Sequence, residues 1–143
     1  MRNAGTRFYP EEGNVIVLGG SSAEMVALDY GYYICQENRS FQPAKYLAFC
    51  FHHRIKYLFE IEEVVGESVD LSDIPELDRY LNDIEPEYSK DKRKVLKVEK
   101  VKEFTPEIEN DKTDKNGNRC AFVQCQGYTS LEKINKAKKT SDL

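Results

Sequence analysis

The sequence has no Trp, and only two His and two Met among its 143 residues. No apolar run approaches the about 20 residues that a membrane-spanning helix needs, so no membrane partner is expected. Met1-Arg2-Asn3-Ala4-Gly5 carries no apolar stretch of the secretory type, which points to a cytoplasmic chain. Cys35, Cys50, Cys120 and Cys125 form no C-x-x-C pair, and no His lies near Cys120 or Cys125 at zinc-finger spacing. Reduced thiols, no metal site and no cofactor are the expectation. Gly19-Gly20 lacks the Lys of a P-loop and the spacing of a dinucleotide fingerprint. Glu60-Ile61-Glu62 lacks the Lys of a magnesium nuclease's acidic-x-Lys pair, and Glu99-Lys100 has the wrong spacing. No motif names a reaction. There are no internal repeats.

The chain does carry many charges, unevenly placed. The net charge is -4, from 21 basic and 25 acidic residues. Residues 1–60 are neutral overall, residues 61–90 are strongly acidic, and residues 91–143 are net basic. Attraction to phosphate depends on local patches, so the acidic mean does not exclude a nucleic-acid partner. The length allows one domain, residues 1–143, with a single core.

Periodicity orders the elements. Residues 1–13 read as an arm. Val15-Ile16-Val17-Leu18 is apolar without alternation, the pattern of a strand buried on both faces. Ser21 and Glu24 match a capping box, which predicts a helix to about Cys35. Residues 45–51 and 54–64 predict an antiparallel hairpin around His52-His53, with Leu58 out of step in the second strand's alternation. A helix is expected over 70–84, a linker over 85–91, and a strand with one bulge over 92–104. A mobile loop over 105–118, turning at Asn116-Gly117-Asn118, leads to a strand over 119–126. Thr129-Ser130-Leu131-Glu132 predicts a capped helix start, and residues 140–143 are expected to fray. The fold class is α+β: a small, mostly antiparallel curved sheet or pseudo-barrel with two or three helices.

Four features bear on binding. Gly19-Gly20-Ser21-Ser22, at a strand-to-helix junction, exposes N–H groups suited to an anion and equally reads as a tight turn. Arg39 lies in a polar loop among Tyr30, Tyr32, Tyr33, Phe41, Tyr46, Phe49 and Phe51. Rings beside an Arg suit a stacked base, although a chain without Trp also needs Phe and Tyr for its core. His52-His53-Arg54 is a polar turn with capacity for phosphate contact. Lys133, Lys136, Lys138 and Lys139 surround the last helix, as a solvated face or a backbone contact.

The stretch Tyr33-Ile34-Cys35-Gln36-Glu37-Asn38-Arg39-Ser40-Phe41-Gln42-Pro43, with Lys45 to Phe49 and the strand from Arg54 to Val64, resembles PUA-like small barrel modules. It resembles in particular those accompanying prokaryotic restriction and anti-phage defence proteins. The likeness covers about residues 14–65. It implies a pseudo-barrel that reads a nucleic-acid base, often a modified one, and it carries over to Tyr33, Arg39 and Phe41. The leading expectation is therefore a non-catalytic nucleic-acid or nucleotide recognition module acting in antiviral defence. Tyr33, Arg39 and Phe41 would hold the base; Ser21, Ser22, His53 and Arg54 would contact phosphate. The alternatives are an adaptor binding a protein partner through its acidic residues 62–87, and a small nucleotide-handling enzyme at the Gly19-to-Ser22 turn.

Overall fold

The computed structural model describes residues 14–19, 22–37, 39–77, 92–122 and 126–143. Strand β1 (Asn14–Gly19) runs through the interior. Val15, Ile16, Val17 and Leu18 are each 1% exposed or less, as their unbroken apolar run requires. A strand lies on each side of β1: β3 (Tyr46–Phe51) in parallel and β6 (Gln126–Ser130) antiparallel.

Helix α1 (Ser22–Tyr30) stops five residues short of the expected end at Cys35. Gly31 ends it. Its φ of 79° is a left-handed value, its N–H donates to the Ala27 carbonyl, and its carbonyl accepts from Val98 N at 2.9 Å. The β-forming residues that follow make strand β2 (Tyr32–Gln36) instead. Its partner is β5 (Arg93–Glu109), with Tyr33 opposite Leu96. The proposed Ser21 cap lies outside the described residues.

The hairpin is present. β3 and β4 (Arg54–Val69) are antiparallel, and both turn residues are left-handed, His52 at φ 54° and His53 at φ 62°. Two consecutive positive φ values are the signature of a two-residue hairpin turn whose twist matches the strands. β4 and β5 then pair along nearly their whole length, with register shifts at five places rather than one bulge. The shift between Ile55 and Tyr57 changes which face the following residues of β4 point to. That accounts for Leu58: Tyr57 and Phe59 pack on one side of the sheet, while Ile55 and Leu58 pack on the other.

The result is a small α+β protein with one six-stranded mixed sheet, ordered β2-β5-β4-β3-β1-β6. The sheet is not closed: β2 and β6 are its edges. One face carries Ile16, Leu18, Leu47, Phe49, Phe59 and Leu96 beneath Ala27 of α1 and beneath Phe41 and Ala44. The other carries Val15, Val17, Ile55, Leu58, Phe104 and Ile108 beneath Ile134 of helix α2 (Leu131–Lys136) and Leu143. Within the expected helix start over Thr129 to Glu132, Ser130 is the cap, accepting from Lys133 N.

Three other expectations are corrected. Residues 70–77 form two short 3-10 turns, Leu71–Asp73 and Pro75–Leu77, with Ile74 extended between them because a residue before Pro avoids the helical region. The rest of that expected helix and the 85–91 linker lie outside the described residues, as does the arm. Residues 105–109 belong to β5 rather than a loop, and Arg119 makes only an isolated bridge to Thr113, the last strand being β6. The turn at Asn116-Gly117-Asn118 is as expected: Asp114 Oδ1 accepts from Asn116 N and Asn118 N. At the tail, where fraying is expected, Thr140–Asp142 form a short 3-10 turn. Thr140 is 2% exposed with its hydroxyl 2.9 Å from Asn110 Oδ1, and Asp111 accepts from the Ser141 amide and hydroxyl.

At Gly31 an added Cβ would meet the Val98 carbonyl oxygen at 3.4 Å, on a left-handed backbone. Gly31→Ala is predicted to lower stability by about 1–2 kcal/mol, read as a fall in the urea midpoint.

Candidate functional site

The structure brings the three expected base-binding residues together and surrounds them with protein. Arg39 sits in the chain crossing from β2 towards β3. Its Nε donates to Gln126 Oε1 at 2.9 Å, and one terminal nitrogen donates to the Tyr33 hydroxyl at 2.8 Å. The guanidinium thereby ties β2 to β6 across the open side of the sheet. Gln126 Nε2 reaches the Ser40 carbonyl, and the Tyr128 hydroxyl accepts from Gln42 N, so β6 holds the crossing chain at three points.

Phe41 and Tyr33 are buried core rings, with centroids 6.3 Å apart. Two cations lie near the Phe41 ring: Arg39 at 5.4 Å and Lys94 at 5.0 Å. Lys94 is 1% exposed. Its ammonium is satisfied by the Arg39 carbonyl at 3.1 Å and by Glu67 at 3.0 Å. Burial pushes the Tyr33 hydroxyl up, and it pushes the Cys35 thiol up to about 11 even though Arg39 and Lys94 pull the other way. Sequence reasoning missed Lys94 and Gln126, since their bonds to the crossing chain at Arg39 and Ser40 span 55 and 86 positions and no local pattern marks them. The acidic stretch runs close by. Glu67 holds Lys94, Ser68 donates to Glu37, and Glu63 lies opposite Lys97 in the ladder. Part of the negative charge of residues 62–77 is thus set against lysines of β5.

A second place is open. Helix α1 and the β3–β4 hairpin bound a cavity of about 450 Å³, lined by Glu24, Met25, Leu28, Phe51, Arg54, Lys56 and Tyr57. Met25 is 57% and Leu28 39% exposed along its rim. Arg54 is held by Glu107 at 2.8 Å. Lys56 and Lys100 place their ammonium groups 5.4 and 5.3 Å from the Tyr57 ring centre. Phe51 meets His52 edge-on at 4.0 Å. Burial raises the Glu24 carboxyl above its usual range, with Arg54 and Lys56 lowering it and Glu107 adding to the rise. The Cys50 thiol is pushed up to about 11, chiefly by burial.

Of the expected phosphate contacts, Arg54 lines this groove and Ser22 opens the helix that forms one wall. Ser21 lies outside the described residues. His53 is turned to other work: its carbonyl accepts from Asn110 N at 2.7 Å, and its Nδ1 is 3.4 Å from Asn110 Nδ2. The lysines of α2 border a separate cleft with Ser130 and Asp142, where Lys136 pairs with Glu132. Among the described residues no group of three or more His, Cys, Asp or Glu is placed to hold a metal, and no helix is long and apolar enough to cross a membrane.

Two outcomes follow from this geometry. Arg39→Met leaves Gln126 Oε1 and the Tyr33 hydroxyl without their donor, so it should cost about 1–3 kcal/mol in urea unfolding and speed amide exchange in β6. At Glu24 the raised carboxyl means that the folded state keeps its proton to higher pH than the unfolded chain does. The penalty of the charged form is therefore complete at neutral pH and vanishes as pH falls below the ordinary value of 4.5. Glu24→Gln should raise the urea midpoint at neutral pH and lose that advantage below about pH 4.

No protein-family model, curated protein or solved structure matches the chain.

Proposed function

We propose that the protein is a non-catalytic binding module for nucleic acid or nucleotide, and that the α1–hairpin groove, rather than Arg39, takes the ligand. One observation carries the reading: Arg54 and Lys56 line the same cavity of about 450 Å³ as two aromatic rings, Phe51 and Tyr57. A nucleotide unit needs both elements. Its phosphate requires cations, and its base has a flat π surface that stacks on rings whatever its sequence. The cavity volume is within the range that small ligands occupy, and Met25 and Leu28 supply the apolar margin that shields such contacts from water. The PUA-like resemblance of residues 14–65 supports the same class of ligand. On this reading Arg39, Tyr33 and Phe41 hold the framework, Arg54 and Lys56 contact phosphate, and Phe51 and Tyr57 face the base.

The shared chemistry is a base joined to a phosphate, available from a single strand or a free nucleotide. Fluorescence anisotropy with a labelled single-stranded 9-mer tests it, with a mononucleotide as competitor. Two phosphate-facing cations predict that log K falls with log[salt] with a slope of about -1.4. The double variant Arg54→Gln, Lys56→Gln should bring the slope close to zero. A strand as ligand predicts weak competition by the mononucleotide; a free nucleotide predicts full competition. Salt-independent binding, or a slope unchanged in the double variant, overturns the assignment.

A further inference from the structure

We infer that Glu24 makes the groove selective for guanine, its two carboxylate oxygens accepting from the base's N1–H and exocyclic amino group. The inference rests on the nucleotide reading of the same groove. Glu24 is half-buried in the cavity wall, between the hairpin cations and the apolar side chains of Met25 and Leu28. Arg54 and Lys56 act on it as neighbouring charges, while the Arg54 Nε is directed to Glu107. Among the described residues no hydrogen-bond donor reaches the Glu24 carboxylate. A half-buried carboxylate has lost part of its hydration and gains from N–H donors that a ligand supplies. Its place in the first turn of α1 makes an anion tolerable there through the helix dipole, but the dipole brings no donor to its oxygens.

The ligand that completes such a group must bring N–H donors and no positive charge. Arg54 and Lys56 already line the same cavity and act on Glu24, so a guanidinium or ammonium ligand would meet like charges. Among the bases, guanine alone presents two neighbouring N–H donors on one edge, matched in spacing to the two carboxylate oxygens. Adenine and cytosine offer an amino group beside an acceptor nitrogen, which a carboxylate repels. Thymine and uracil offer one N–H between two carbonyls. A base that covers Glu24 without supplying donors displaces the water from its oxygens and leaves them unpaired, so the cost falls on the protein group as well as on the lost bond.

The test uses the full chain and labelled oligo-dT 9-mers carrying one central guanine, hypoxanthine or adenine, read by anisotropy at low salt. The guanine strand should bind about 10–100-fold tighter than the adenine strand, as for a lost bidentate base contact. Hypoxanthine keeps N1–H and lacks the amino group, so its strand should fall between them. Glu24→Gln, with folding checked by its urea midpoint, should bring the guanine-to-adenine ratio near one. Equal binding of the guanine and adenine strands, with salt-dependent binding intact, overturns the selectivity and leaves the nucleotide reading standing. A guanine preference that survives in Glu24→Gln overturns the role of Glu24. Absence of binding to every strand overturns both.

Discussion

An open sheet leaves each edge strand with a row of peptide groups that no neighbouring strand satisfies, and here both edges flank one crossing segment of chain. The crossing is held by a guanidinium that spans from Tyr33 to Gln126, backed by a buried ammonium that binds the same segment's carbonyl. These bonds lie in a poorly hydrated setting, where a charge is tolerated only when fully engaged. The position of α1 rests on them indirectly. The helix runs into β2 through Gly31, and β2 is an edge strand fixed on one side by β5 and on the other by Arg39. The groove wall containing Glu24, Met25 and Leu28 is therefore set by contacts made at the far side of the same helix.

Strand pairing also redistributes charge. The most acidic part of the chain and the first basic part of the next segment are separated along the sequence but become neighbours in β4 and β5. Glu63 comes opposite Lys97, and Glu67 closes on Lys94. The other end of β4 carries Arg54 and Lys56 beside the hairpin, away from the acidic residues of its far half. A strand of 16 residues can hold both signs because its two ends lie far apart.

Elements governed by local rules were readable in the sequence. β1 declared itself by unbroken apolar character, the hairpin by alternation around a polar pair, and α2 by its Ser130 cap. The failures arose where a tertiary demand overrode local pattern. Tyr32, Tyr33 and Cys35 fit a helical stripe, yet Gly31 turns the chain and β5 recruits them as a strand. The parity changes of β4 depend on how β5 pairs with it, which no single segment encodes. At the site, Arg54 and Phe51 are visible as a basic residue and a ring near a turn, whereas Lys56 and Glu24 join them only through the three-dimensional arrangement. Arg39 stands out in the sequence as a cation in a loop among rings, but its partner Gln126 lies 87 positions away.

The antiparallel pairing of β1 with β6 has a consequence for how the chain is made. During synthesis on a ribosome, Val15 and Val17 emerge more than a hundred residues before Gly127 and Thr129, their partners in the ladder. One side of β1 thus stays without its neighbour, and the core beneath α2 without Ile134, until more than a hundred further residues have been added. Throughout that interval the nascent chain carries a strongly apolar strand with an unfilled side, a surface that a holding chaperone recognises and that stalled or truncated products would retain.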